Sequence, residues 1–557
     1  MNKKNVLAEK KSNESMYSES LIANMPRILN QLDRNPNSST FGCFDRDYWQ
    51  YKIVDFPCAR KQEAVLSLAL LQRNKFSGNP YFASPTIKSW CEAAIGFWAC
   101  AQNQDGSSNE WYPEEHSFVA TAFSTYAITE AILVLMLSPS PAVLETINKA
   151  GVFLQNHTEF RVQNQQAGAI VALHNCSLIT GSEAFALFAK ERLAELAKHQ
   201  TREGWFDEYG GPDVGYLSVA IDYLGKYYEK TNDKQALDMI KKAAGFLVHA
   251  VHPDGSVGGV YTSRSTEYLI PSAFEHDAGP DVELLAQVCR QGIQSAVLPS
   301  CSTLDDRYLL YNGYTYAQAA LSEKKINKNI CLLPQGSVFF SECGWFVRRT
   351  PRYFLVINTK KGGAFYFASP DNKVHDAGVF ISGAPVLSSC FIGSSIEVEL
   401  LPKIASKCQR IVIRGSMQAS PEEVLSPFKN MLLRGTQLTV GKNTRVRNLL
   451  KEAFRDRLIA GKKDAPKSFV RDFLKTAFRA KSVSEGGLAI KFERVFVLSD
   501  DAVAVEDIVH NPPLAAEFIV GVKQPVQTVP SSRFFVPSDI ESHAVISKSA
   551  VIHRKLL

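Results

Sequence analysis

The stretch HQTREGWFDEYGGPDVGYLSVAIDYL, residues 199–224, decides how the first half of the chain is read. A polar, aromatic turn broken by Gly204, Gly210 and Gly211 drops straight into a helical pattern with apolar residues at three- and four-residue spacing. Similar turns occur elsewhere: QNQDGSSNEW starts at Gln102, QNHTEF at Gln155 and VHPDGSVGGVY at Val251. The recurrence, roughly every fifty residues, fits one helical hairpin per repeat. Between the turns, ARKQEAVLSLALLQRN, TIKSWCEAAIGFWACAQNQ, SFVATAFSTYAITEAILVLML and SEAFALFAKERLAELAKHQ keep the helical spacing, and strand-like alternation is nearly absent. Residues 38–327 are therefore expected to form an α/α toroid, an incomplete helical-hairpin barrel, with its turns on one rim.

Near residue 328 the texture changes. CLLPQGSVFFSECGWFVRRTPRYFLVINTKKGGAFYFASP alternates β-branched and aromatic residues with polar ones, and Lys361, Gly362 and Gly363 read as a hairpin connection. SSIEVELL, RIVIRG and LAIKFERVFVLSDDAVAVEDIV continue the pattern, so residues 328–557 are expected to be an antiparallel β-sandwich domain. The fold class is α+β and multidomain. A basic helical insertion interrupts the second domain at about residues 442–482; within it, residues 445–481 place Leu449, Leu450, Phe454, Phe473 and Leu474 on apolar faces. Contact with a membrane surface or an acidic polymer is one reading of that segment, and a helix packed on the sheet with a solvated basic face is the simpler one.

Composition narrows the function classes. The 62 basic and 56 acidic side chains leave a net charge of +6, too small over 557 residues to suggest a nucleic-acid partner. The lysines of MNKKNVLAEKKSNESMYSES are not followed by an apolar core, and no run of membrane-spanning length is expected. Residues 1–37 are read as a disordered tail and the chain as cytoplasmic. Eleven cysteines include no CxxC pair, which favours reduced, buried thiols over disulfides or a zinc site.

The turns carry more chemistry than turns need. Asn109, Glu110, Trp111, Tyr112 and His116 follow the first; Trp205, Asp207, Glu208, Tyr209, Asp213 and Tyr216 follow the third; Tyr261, Arg264, Glu267 and Tyr268 follow the fourth. Aromatic rings mixed with carboxylates and arginine on rigidly mounted loops suit a sugar, whose faces stack and whose hydroxyls take hydrogen bonds. Each residue alone also fits a helix cap or a turn.

The order of STFGCFDRDYWQYKI, QNQQAG, FDEYGGPDVGY and RYFLVINTKKGGAFYF, set in α/α repeats followed by an antiparallel β domain, resembles the heparinase II/III-like and alginate-lyase-type proteins. The resemblance implies β-elimination on a uronic-acid glycan, an acidic oligo- or polysaccharide being the expected partner. It implies catalytic roles for Asn164, which neutralises the uronate carboxylate, for Tyr216 as base and acid, and for His375 or His116 as the completing histidine. It also implies that Arg46, Trp49, Tyr261 and Arg264 bind substrate, and the turn chemistry adds Glu110, Tyr112, Trp205, Glu208, Asp213 and Tyr268 as expected substrate-binding residues. Many relatives hold a metal in a histidine and aspartate cluster of the β domain; here His375 has only Asp376 beside it, so no metal or other cofactor is expected. The Asn-His pair common in the lyases is Asn164-Gln165 here. Three alternatives stay open: C5 epimerisation, a glycoside hydrolase using Glu110 with Glu208 or Asp213, and a glycan-binding or surface-polysaccharide assembly protein without chemistry.

Overall fold

A computed structural model describes residues 15–159, 161–323, 333–383, 386–390, 392, 396–404, 408–419, 426–439, 490–513, 515–522 and 544–557. Inner helices Ala64–Arg73, Phe118–Leu135, Gln163–Thr180, Val214–Thr231 and Asp306–Ser322 pack side by side in a ring, the last against the first. Between the fourth and fifth, the short 3-10 turn Pro271–Ala273 touches both and stands where another inner helix would complete the set. Helices Pro85–Cys100, Pro141–Asn156, Glu183–His199, Lys234–Leu247 and Pro280–Gln294 line the outside. The result is an incomplete α/α toroid.

The two rings differ in sequence because they differ in cover. Lys234–Leu247 buries a single stripe, Ala236, Met239, Ile240, Ala243, Ala244 and Leu247. Phe118–Leu135 is covered on nearly every side. That helix corrects one expectation: it is long and apolar enough to cross a membrane, yet 72% of it is buried within the fold, as an inner helix between ring and outer layer must be.

The expected disordered tail is also corrected from residue 15 onward. Met16–Gln31 is a helix that buries Tyr17, Leu21, Met25 and Ile28 against Asp306–Ser322, and Arg27 binds Asp306 and the carbonyls of Cys301 and Leu304. Its four-residue apolar spacing is hidden in the sequence among serines, asparagines and a proline, and the helix covers the last inner helix from outside. Residues 1–14, and the basic segment read as helical at 442–482, lie outside the described residues.

Three of the four recurring turns share one hydrogen-bond pattern. The N–H of Asn103 donates to the carbonyl of Ser107 and that of Gly106 to Asn103; Thr201, Trp205 and Gly204 repeat this, as do His252, Ser256 and Gly255. The Gln155 turn has no glycine, and its Phe160 lies outside the described residues. Gln102 donates both to Gly106 O and to Thr146 O on the next outer helix, and Gln200 does the same to Gly204 O and Met239 O. Each turn glycine thereby lies flat on that helix: a Cβ on Gly106 or Gly204 would stand 2.2 Å from the carbonyl oxygen of Lys149 or Lys242. The turns set the register between successive hairpins.

The β domain holds antiparallel sheets in layers. The first is a meander of Gly336–Phe340, Trp345–Arg349, Phe354–Asn358, Ala364–Ala368 and Lys373–Asp376. Its central strands are buried on both faces: Trp345, Val347, Phe354, Val356 and Tyr366 join the core of the helices, while Phe346, Leu355, Ile357, Phe365 and Phe367 meet Ile411, Ile413, Phe492 and Phe496 of a second sheet. The middle sheet therefore joins the toroid to the sandwich. At its edge Asp376 is locked by Arg494 and Arg554, which also bind Asp507; burial pushes its carboxyl up, but the two guanidiniums outweigh burial and hold it down at about 2.

Gly204→Ala is expected to cost about 3 kcal/mol, since it adds a backbone clash to a left-handed conformation. Gly181, at φ +74° and with no atom within 4 Å of where a Cβ would stand, is the control; alanine there carries only the conformational penalty of about 1 kcal/mol. Urea denaturation compares them, and equal losses would refute the role of the turn in setting register.

Candidate active site

The inner helices and rim loops enclose a cavity of about 310 Å³. Asp213 organises one side of it. Its carboxylate caps the Val214–Thr231 helix by accepting the Tyr216 N–H at 3.1 Å, and it also accepts the Thr262 hydroxyl at 2.8 Å, the Arg264 N–H at 3.1 Å and the Thr266 hydroxyl. One side chain thus fixes both the start of the helix that carries Tyr216 and the loop that carries Arg264. Gly215 permits the approach, because a Cβ there would lie 2.7 Å from both Thr266 and Tyr268. From the β domain, Lys361 donates to the carbonyls of Val260 and Thr262 and to Ser265 Oγ, and Asn358 Nδ2 donates to Tyr261 O. Burial lowers the lysine's pKa.

Glu208 organises the facing side. It is fully buried, and its two carboxylate oxygens accept the backbone and side-chain N–H groups of Asn164, both at 2.8 Å, which fixes the Asn164 amide at the cavity wall. Burial raises the Glu208 carboxyl well above its ordinary value, against the pull of those two donors. Arg264 lies 4.0 Å over the Tyr209 ring, with its buried Nε lacking a hydrogen-bond partner among the described residues. The floor contains Asp222, paired with Lys226, whose ammonium sits about 5 Å from the rings of Tyr126, Tyr223 and Tyr314.

The opposite wall comes from the first rim loop and the last inner helix. Glu115 accepts the backbone N–H groups of Glu110 and Trp111, and Asn109 Oδ1 accepts those of Glu115 and His116, which folds Glu110 and Trp111 toward the cavity. Arg60 reaches it over Tyr311, and Arg307 over Trp111. Burial, helped by Glu115 and Glu63 and opposed by Arg60 and Arg307, pushes the Glu110 carboxyl up to about 7. Three arginines thus face a cavity whose carboxyls are either raised in pKa or already paired, so the site favours an anion. Its tyrosine and tryptophan walls suit a flat, hydroxylated ring.

Of the residues singled out in the sequence, Asn164, Tyr216, Glu110, Trp111, Tyr209, Arg264 and Tyr268 line this cavity. The others lie elsewhere. His116 clamps its own turn, with Nδ1 2.6 Å from Asp105 and 2.8 Å from Ser107. His375 packs against the rings of Tyr366 and His252 at the junction of the domains. Glu208 and Asp213 are supports behind the wall, with their oxygens committed to backbone and hydroxyl donors. Trp205 bonds Glu203, which in turn receives the N–H groups of Glu342 and Cys343 from the β domain. Tyr261 is buried between His252 and Trp345. Tyr112 is exposed on the rim; Arg46 bonds Gln50, and Trp49 donates to Gln31 O. Sequence reasoning missed Arg60, Arg307, Tyr308 and Tyr311. A tyrosine at every third position in DRYLLYNGYTY was the available signal for the last group, since it marks one aromatic helix face.

No family model and no curated protein matches the chain. Among solved structures it resembles the chondroitin AC lyase of Streptomyces coelicolor A3, solved in complex with chondroitin sulphate, at 9% identity and a TM-score of 0.50, with 92% of this chain and 68% of that one covered. A mutant heparan sulfate lyase HepC from Pedobacter heparinus aligns over 92% of this chain and 72% of its own at 10% identity and a TM-score of 0.40. The chain has the fold of the first of these, helical toroid followed by antiparallel sheets.

Glu110 makes a stability test. Its carboxyl binds a proton more tightly folded, at about 7, than at the ordinary 4.5, so stability is fully present below pH 4.5 and falls as pH rises through 7. Glu110→Gln is expected to remove that fall, so that the variant gains on the wild type in melting temperature between pH 5 and 8. Parallel melting curves across that range would contradict the raised carboxyl.

Proposed function

We propose that the chain is a carbohydrate-active enzyme that cleaves a uronic-acid-containing glycan by β-elimination. The observation that carries this reading is the convergence of Tyr216, Asn164 and Arg264 on one cavity with an excess of cationic side chains. In this reading the uronate carboxylate meets the Arg264 guanidinium and the Asn164 amide, which withdraw its charge and make the neighbouring C5 proton acidic enough to remove. The Tyr216 oxygen, as phenolate, takes that proton. The C5 electron pair forms the C4–C5 double bond, the C4–O bond breaks, and the phenol returns the proton to the departing glycosidic oxygen. With neither histidine at the cavity, the arginine supplies the positive charge and the tyrosine serves as both base and acid. Return of a proton to the opposite face of C5 would give the epimer instead.

Hydrolysis would need two carboxyl groups flanking the scissile bond. Glu110 faces the cavity, but Glu208 and Asp213 are bound to Asn164 and to the Tyr216 and Arg264 backbones, which favours elimination over a carboxylate pair. Elimination leaves a conjugated double bond that absorbs in the ultraviolet; hydrolysis and binding alone leave none. Incubation with a panel of acidic polysaccharides is expected to raise that absorbance, and Tyr216→Phe to lower the rate by a factor of about 100 or more while leaving oligosaccharide affinity within about threefold. Binding without absorbance change on any uronate polymer would sink elimination.

A further inference from the structure

Tyr216, Asn164 and Arg264 account for one anion, yet two more arginines face the same cavity from the other wall. Arg307 is half-buried, its guanidinium 4.2 Å over the Trp111 ring, and it makes no hydrogen bond or ion pair among the described residues. Stacking occupies the face of a guanidinium and leaves its N–H edge for a planar acceptor. Arg60 commits Nε and Nη2 to Glu63, while its Nη1 stands 3.9 Å from Glu110, beyond hydrogen-bond distance. The rings of Phe123 and Tyr311 hold it at 4.8 and 4.1 Å. Arg60 thus has one anionic partner and a free Nη1, whereas Arg307, half-buried, has none among the described residues; a ligand anion would offset the cost of keeping that charge from solvent.

We infer that Arg60, Arg307, Trp111 and Glu110 form a second anion subsite, taking a sulfate ester or a carboxylate on the sugar that adjoins the uronate at Arg264. The inference rests on the acidic-glycan reading above and goes further by requiring two charged groups on neighbouring rings. The cavity is at the lower end of the roughly 300–1,000 Å³ usual for small-ligand sites, which leaves room for a short oligosaccharide and puts the second anion one ring away. Glu110 sets the pH response. It faces Arg60, Glu63 and Cys58 from one segment, Glu115 from its own loop, and Arg307 and Tyr311 from the last inner helix. Protonated, it becomes a donor to the bound anion; ionised, it competes for both arginines, so affinity at this subsite falls as pH rises through about 7.

The test is calorimetric binding to the Tyr216→Phe protein, which reads affinity without turnover. Three tetrasaccharides serve as probes: hyaluronan, whose uronates alternate with neutral sugars; chondroitin sulfate, which adds sulfate to those sugars; and oligogalacturonate, with a carboxylate on every ring. One of the latter two is expected to bind about tenfold tighter than hyaluronan, and which one identifies the second group. Arg307→Gln should erase that advantage while leaving hyaluronan within about twofold, and Arg307→Lys should restore part of it, since a charge without the fork remains. Equal affinities, an equal loss for all three ligands in Arg307→Gln, or no binding at all would overturn the inference. A preserved advantage with no ultraviolet product from the wild type would leave the subsite standing and remove elimination alone.

Discussion

Asp213 is the constraint on which the site depends. A carboxylate at a helix start usually satisfies one or two orphan N–H groups of that helix. This one also takes two threonine hydroxyls and two N–H groups from a loop about fifty residues later, and so ties Tyr216 and Arg264 to a single point. Side chains meant to act together on one sugar need placement that does not drift between loops. A shared anchor provides that more firmly than two separate caps would, because any shift of the anchor moves both partners together.

The toroid was legible because hairpin repeats leave a period in the sequence, and Tyr216 because a crowded turn running into an apolar helix delivers its first-turn residues inward. The sheet was legible from alternation, but its position was not. Burial on both faces appears only when Trp345 and Phe346, adjacent in sequence, are seen to enter different cores. Residue type also fails to say which way a turn side chain faces. Glu208 and Asp213 look like substrate groups in a string of letters and are buried supports in space, whereas Arg60 and Arg307 sit in segments that read as ordinary helix starts. His116 and His375 stand out in the sequence as histidines with polar surroundings, and both are spent on local packing.

Charge is distributed differently in the two domains. In the sandwich, Arg494, Arg554, Asp376 and Asp507 close on one another, a set buried except at the edge of Arg554 whose members neutralise their neighbours and so fix how the sheets meet. In the toroid, Lys226 and Arg60 have carboxylate partners, whereas Arg307 at the cavity wall makes no ion pair among the described residues. The first arrangement balances two arginines against two aspartates without a ligand. The second leaves Arg264 Nε and the Arg307 edge without hydrogen-bond partners among the described residues, which suits a binding site for anions.

Lys361 belongs to a hairpin of the β domain, yet each oxygen it holds lies on the loop that presents Arg264. The toroid is therefore not a self-sufficient catalytic module with a decorative appendage. Excising the sandwich would remove the ammonium from beneath that loop and expose three polar oxygens formerly satisfied by it, so the two domains have to be inherited, exchanged or engineered as a pair. A chimaera that grafts a foreign sheet onto these helices needs a lysine at the same hairpin before any choice of substrate residue matters.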